Sequence, residues 1–580
     1  MPTTSPTASS KLFQVVPAFD SLRRYSLDDA RGDLAGGLSV AAVAVPQAMA
    51  YALIVGLPPE IGLYTAIVMT AVGALFDSSK QLINGPTNAI SIALLGAIGA
   101  VADPNDRLQL AVLMAFMIGA IQLLISLARL GDLTRYVSHS VIVGFTAGAS
   151  LLLVFDQLKN LLGQSAVGDV HDHFLLRFWN SLTEGGSVHG PTVTVGLASI
   201  ALVLILRALK KKLDWPLFPE FLVVIVTMAA ITAIWRLDLM GVRVVGEIPA
   251  KLPEPGLPRF DYQWIREYAS SALAIGLLGL LEAIAMAKAI AAVTRQKLDL
   301  NQQCLSEGLA NMAGSFFLCM PGSGSLTRSA INQQAGARTQ WAGVVSALAV
   351  ALIVILFAPF ARYIPRSALA GLLMLTAARM VSIKDLRYHI RASRFDAVIV
   401  ISTAVAAFAI SIEFCVLIGV IMSFLLAVPR TGNMTLTEFV EAGDDHVRER
   451  LEDDQEPALV LVFGLEGELF FGSSVSLEQH LEAIEQRVGP STRVVVLRMK
   501  RVRNPDAVGL SLVSGLVERL RDRGVHVLLC GVRPELRTGL ERSGLLDRLN
   551  GDHVFLERSV RQTSTQEAMR MARHLCATAG

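Results

Sequence analysis

Between residues 34 and 428 the chain is a succession of about fourteen apolar runs, near 34–55, 61–77, 86–101, 108–128, 137–155, 192–209, 216–235, 270–292, 304–319, 325–335, 341–358, 366–381, 395–410 and 412–428. A helix that crosses hydrocarbon needs about twenty apolar residues. The runs therefore predict a polytopic α-helical membrane protein. Composition agrees: 53% of the 580 residues are hydrophobic and 17% are charged, against about 25% charged in globular domains.

The shortest runs, 86–101 and 325–335, are each led by a break, Gly85-Pro86 and Pro321-Gly322. Paired interrupted segments in the two halves of a transporter point to its substrate site. In the stretch Pro321-Gly322-Ser323-Gly324-Ser325-Leu326-Thr327-Arg328-Ser329-Ala330 the break ends and a short helix is expected from Ser325 to Gln334. A helix N-terminus presents unpaired N–H groups and a positive dipole end, and such an end binds anions. Arg328 in the first turn adds a full charge. The stretch reads as half of an anion site; the plainer reading is a glycine-rich external loop. Thr87 and Asn88 open the other short helix. Their N–H groups and the Thr87 hydroxyl can donate to an anion, or Thr87 can simply cap the helix.

With the N-terminus placed inside, alternating connections put Lys80, Arg129, Arg135, Arg207, Lys210–Lys212, Arg295, Lys297, Arg338, Lys384, Arg387, Arg391, Arg394 and Arg430 on the inner side. The positive-inside rule then predicts an even number of crossings with both ends cytoplasmic. Residues 1–30 are a polar lead-in without a signal peptide, and residues 31–429 form the membrane domain. At Arg430 the composition switches to Glu, Asp and Arg. Strands are expected at Ala458–Phe463, Leu469–Phe471, Arg493–Leu497, His526–Leu529 and His553–Phe555, with helices near 474–488, 508–523, 534–542 and 560–574. That alternation predicts a small cytoplasmic α/β domain over 430–580. The five cysteines show neither CxxC nor metal-ligand spacing, so no disulfide framework, metal site or cofactor is expected. No nucleophile–base pair or phosphate loop suggests an enzyme, and nothing suggests a nucleic-acid partner.

With both parts in place, the chain resembles the SulP anion permeases. The resemblance rests on Val45-Pro46-Gln47-Ala48-Met49-Ala50-Tyr51, Gly56-Leu57-Pro58-Pro59, Gly62-Leu63-Tyr64, Gly85-Pro86-Thr87, Asp299-Leu300-Asn301-Gln302 and Gly324-Ser325-Leu326-Thr327-Arg328, in that order, followed by a STAS-like tail. It implies an inverted repeat of seven plus seven segments, with a core group moving against a gate group. The anion would sit between half-helices three and ten, beside the Ser325 and Leu326 amides and the Arg328 charge. It also implies a homodimer in the cell (inner) membrane, surrounded by lipid. Sulfate ranks first as substrate, then bicarbonate and C4-dicarboxylates.

Three further positions complete the expected site. Gln47 and Tyr51 lie one helical turn apart and can face one cavity, the first as an amide donor and the second as a ring wall. Glu282 stands midway along the eighth run, about thirteen residues from Arg295. An intramembrane carboxylate marks function by default, and here it reads as the proton-coupling group; a fixed Glu282–Arg328 brace is the alternative. Sodium-coupled relatives place hydroxyl side chains where Met286 and Leu326 stand. Those side chains offer no oxygen to a hard cation, so a proton is the expected coupling ion, in symport, with anion exchange as the other mode. The tail departs from phosphoswitching STAS domains, since Asp506-Ala507-Val508-Gly509 has no hydroxyl at its centre. Two other functions stay open: a nucleobase carrier of the same fold, and a scaffold or signalling protein acting through its tail.

Overall fold

A computed structural model describes residues 16–578 except 24, 132–137, 166, 168–173, 214, 216–217, 411, 443–445, 455–458, 550 and 559–561. Half of the N-terminal lead-in and Arg135 therefore lie outside the described residues, as does Ala458 at the head of an expected strand. The chain divides into two compact units at Ser423/Phe424.

The first unit is helical. After a short α1 (Pro17–Leu22) come α2 (Leu27–Val55), α3 (Pro59–Phe76), α4 (Asn88–Ile98), α5 (Pro104–Leu127), α6 (His139–Leu162), α7 (Phe174–Glu184), α8 (Gly190–Lys212) and α9 (Glu220–Trp235). The second half holds α10 (Tyr262–Thr294), α11 (Leu300–Ser315), α12 (Leu326–Gln334), α13 (Trp341–Ala361), α14 (Arg366–Met380), α15 (Ile383–Ala392), α16 (Arg394–Ala409) and α17 (Ile412–Thr431). Among the described residues eight spans are long and apolar enough to cross a membrane. Helix ends follow local chemistry. Ser26 and Asp29 cap α2 reciprocally, and Gly56 ends it at φ +77°.

Each apolar run lies on a helix. The third and tenth runs are the short α4 and α12, so both halves carry a half-helix in third place. Besides the short α1, two helices escape the hydropathy reading, α7 and α15. Both are amphipathic and polar enough to pass for connections; α15 occupies the basic stretch assigned to an inner loop. Packing separates two groups. In one, α11 lies on α5 and α3, α13 on α2 and α3, and both half-helices on α2. In the other, α6 lies on α14 and α16, and α8 on α14 and α9.

The breaks before α4 and α12 form two short strands, β1 (Asn84–Gly85) and β2 (Ser323–Gly324). They pair antiparallel, Asn84 opposite Gly324 and Gly85 opposite Ser323. All four residues are buried. Inside a membrane, backbone groups freed by a broken helix need partners in the protein, and this pairing supplies them. Glycine is required: Gly85 sits at φ +143°, and a Cβ on Gly322 would lie 2.4 Å from the Gly85 carbonyl oxygen.

The second unit holds a six-stranded sheet in the order β4-β3-β5-β6-β7-β8, made of β3 (Thr435–Glu441), β4 (Val447–Glu449), β5 (Val460–Glu468), β6 (Val494–Arg503), β7 (His526–Val532) and β8 (Val554–Leu556). The last four run parallel, while β3 is antiparallel to β4 and β5. One face packs on α18 (Ser474–Arg487), α19 (Ala507–Asp522), α20 (Pro534–Arg542) and α21 (Leu545–Leu549); the other packs on α22 (Thr563–Thr578).

Two readings of the tail need correction. Leu469–Phe471 is not a strand. The Leu469 carbonyl accepts from Asp506 N, and the chain turns into a 3₁₀ turn at Phe471–Ser473. The β3–β4 hairpin escaped the sequence reading because its half-exposed strands mix charge with apolar residues. Asp506 ties this turn to the start of α19, with Oδ1 accepting from Gly509 N and Oδ2 from Phe471 N.

Candidate functional site

The strand pairing aims two helix N-termini at one place. Thr87 is the N-cap of α4, its Oγ1 accepting from Ile90 N at 3.4 Å, and Ser325 is the N-cap of α12, its Oγ accepting from Arg328 N at 3.5 Å. The register is locked from both halves. Ser325 N donates to the Ile83 carbonyl at 2.9 Å, and Ile83 N donates to Ser329 Oγ at 2.8 Å.

A cavity of about 550 Å³ lies in front of these ends. Gln47, Tyr51, Thr87, Asn88, Glu282, Met286, Ser325 and Leu326 all line it. They come from α2, from the starts of α4 and α12, and from the middle of α10. Gln47 is 6% exposed, and neither side-chain polar atom has a partner among the described residues. Asn88 Nδ2 reaches Met380 Sδ at 3.1 Å, joining the half-helix group to α14. The cavity extends to Lys210, Glu220, Arg379 and Asp385, at the basic end of the bundle.

Arg328 stands apart from the expected arrangement. Its side chain is fully buried and is not part of the cavity wall. Nη2 donates to the Pro86 carbonyl at 2.9 Å, while Nε and Nη1 have no acceptor among the described residues. The guanidinium thus lies behind the break that leads into α4. Its charge lies within low-dielectric protein, where a field reaches further than in water.

Glu282 is placed by Thr87, whose hydroxyl donates to Oε2 at 3.1 Å. Among the described residues Glu282 and Arg328 form no direct ion pair: the carboxylate takes the Thr87 hydroxyl and the guanidinium takes the Pro86 carbonyl. Thr87 therefore caps α4, as the plainer reading expects, and its hydroxyl also donates to a carboxylate on α10.

Sequence reasoning passed over the layer that supports β1. Asp77 accepts from Asn84 Nδ2 at 3.1 Å, Gln303 Nε2 at 2.6 Å and Ser306 Oγ at 2.7 Å, while Thr70 donates to the Asn84 carbonyl. Asn311 ties the other break, accepting from Gly322 N at 3.0 Å and donating to its carbonyl at 3.2 Å. The Asp299-Leu300-Asn301-Gln302 stretch was a signal for this helix, but which side chains reach the breaks is a matter of packing.

Comparison with known proteins follows the same division. The family model described as the sulfate permease family matches residues 31–403, and the STAS domain model matches residues 453–560. YvdB of Bacillus subtilis (strain 168) is 30% identical over 536 residues, which cover 92% of this chain and 97% of that protein. Sulfate transporter 4.1, chloroplastic, of Arabidopsis thaliana is 27% identical over 560 residues, 93% of this chain and 81% of its own. Among solved structures, murine solute carrier 26 family member A9, an anion transporter in the inward-facing state, has a TM-score of 0.86 at 22% identity, covering 99% of this chain and 96% of that one. That likeness is one of fold.

Proposed function

The chain belongs to the sulfate permease family, and on that premise we propose that it is a secondary active anion transporter whose substrate is sulfate, with bicarbonate and C4-dicarboxylates next in rank. The observation that carries this reading is the β1–β2 pairing, which brings helix N-termini from both halves of the chain to one cavity. The names of similar proteins favour sulfate.

In this reading the anion accepts hydrogen bonds from the first N–H groups of α4 and α12. The unpartnered amide of Gln47 donates a further bond, Tyr51 walls the pocket, and Asn88, Ser325 and Leu326 shape its floor. Arg328 supplies positive potential from behind. The anion crosses as the half-helix group rocks against the group of α6, α8, α14 and α16. The cavity reaches the basic end of the bundle, which under the positive-inside rule is the cytoplasmic end. Both chain termini then lie in the cytoplasm of a cell whose (inner) membrane holds the protein as a homodimer.

Coupling falls to Glu282. Its partner Thr87 is also the cap of α4, so a proton taken or released there acts on the helix end that holds the anion. Met286 and Leu326 line the cavity without an oxygen ligand, which favours proton symport, or anion exchange, over sodium coupling. Uptake into proteoliposomes with labelled sulfate, bicarbonate, dicarboxylates and uracil tests the proposal. Sulfate accumulation is expected; uptake of uracil alone would identify a nucleobase carrier, and no uptake of any solute would favour a scaffold.

A further inference from the structure

Transport as proposed makes no use of α15. This ten-residue helix, Ile383–Ala392, joins α14 to α16 and has no buried residue. One side is nevertheless held. His389 Nδ1 lies 3.2 Å from Ser140 Oγ on α6, and that hydroxyl donates to Asp396 Oδ1 on α16 at 2.7 Å. The helix therefore has a defined rotation about its axis.

With 3.6 residues per turn, Lys384, Arg387 and Arg391 fall within roughly 60° of the circumference, away from His389. Ile383 and Ile390 border this stripe on one side and Tyr388 on the other, exposed by 66%, 41% and 67%. Among the described residues none of the three cations makes an ion pair. Lys384, Arg387 and Arg391 line a surface pocket in which Asp385 is the acid, three positive charges against one negative. Exposed apolar side chains beside free cations suit neither bulk water nor hydrocarbon alone. They suit the boundary between them, with anionic headgroups as counter-charge. The helix stands at that boundary, because it links two apolar helices at the basic end of the bundle.

We propose that α15 is a docking site for anionic lipids, with Lys384, Arg387 and Arg391 taking headgroup phosphates while Ile383, Ile390 and Tyr388 enter the acyl boundary. The same segment also contributes Ser382, Asp385 and Leu386 to the anion cavity. Lipid docking thus holds one wall of the cavity mouth in place. The inference rests on the membrane placement of the chain and not on the identity of the transported anion.

The test is native mass spectrometry of the full chain in detergent, with phosphatidylglycerol or phosphatidylcholine added. The wild type should retain phosphatidylglycerol preferentially. The triple variant K384Q/R387Q/R391Q should retain on the order of a hundredfold less, since each basic residue near an anionic surface contributes about 1 kcal/mol, with phosphatidylcholine unchanged. The charge-keeping K384R/R387K/R391K should retain it. Should the triple variant not fold, Arg387→Gln alone is expected to lower retention severalfold. Equal retention in wild type and charge-removed variants overturns the proposal, as does loss in the charge-keeping one. Displacement of the lipid by millimolar inorganic phosphate would identify a small-anion site instead.

Discussion

Arg328 in the first turn of α12 donates through Nη2 to the carbonyl oxygen of Pro86, 2.9 Å away and 242 residues earlier in the chain. The charge offered by one half-helix is therefore held by the break that leads into the other. Charge placement and site assembly share one contact. The guanidinium is fully buried and, among the described residues, forms no ion pair, an expensive arrangement unless its field is used.

Arg328→Ala should abolish most anion affinity while the protein still reaches the membrane folded. Removing a hydrogen bond made by a charged group costs about 1.5–3 kcal/mol, which alone corresponds to roughly ten- to a hundredfold. Arg328→Lys keeps the charge but loses the guanidinium geometry, so partial recovery is expected. Calorimetric titration of both purified variants with sulfate checks this; wild-type affinity in the alanine variant would refute the role.

Gly85→Ala should loosen the paired breaks. Gly85 has φ +143°, and an added Cβ would lie 3.1 Å from Arg328 Nη1. Backbone strain of this kind costs on the order of 1–3 kcal/mol. The expected result is a lower melting temperature together with weaker anion binding. Gly489→Ala meets nothing within 4 Å and serves as the control with neither effect.

If Glu282 carries a proton with the anion, uptake should rise as external pH falls and should proceed without sodium. Glu282→Gln mimics the protonated form and can still accept from Thr87. It should bind anion yet fail to accumulate it against a pH gradient, while counterflow at equal pH continues. Gradient-driven accumulation at the wild-type level would remove Glu282 from the coupling role. Strict sodium dependence of the wild type would do the same.

Thr87→Val tests the link between the two events. The substitution removes both the cap to Ile90 N and the donor to Glu282. Loss of a helix cap costs about 0.5–2 kcal/mol, so a modest fall in anion affinity is expected. The pH dependence of uptake should change as well. A variant with weaker binding but an unaltered pH profile would show that Thr87 caps the helix without taking part in coupling.

Removing residues 432–580 should leave the anion site intact, because every residue proposed to touch the anion or the proton precedes Ser423 in the first compact unit. Expression and dimer stability are the properties expected to fall. A correctly inserted truncation that no longer binds any anion would place the site elsewhere.

The residues of this site were readable in the sequence to unequal degrees. Gln47 and Tyr51 followed from helical spacing, and Thr87 and Ser325 from the breaks ahead of two short apolar runs; all four line the cavity. Arg328 was legible as a charge in a membrane but not as a charge behind the wall. The alternative of a Glu282–Arg328 brace could not be decided from spacing, because the two residues lie on different helices. The partners of each, Thr87 and Pro86, belong to the first half of the chain.

What the sequence determined by itself was local. Hydropathy set the fourteen apolar helices, glycine and proline set the two interruptions, and the composition change near Arg430 set where the α/β tail begins. These depend on residues within a turn or two of each other. Tertiary structure decided the rest: that the interruptions pair as strands, that Thr87 meets Glu282 across 195 residues of chain, and that His389 turns the cations of α15 outward. Such contacts are chosen by packing between segments distant in sequence, where a buried polar group takes whichever partner the fold brings within reach.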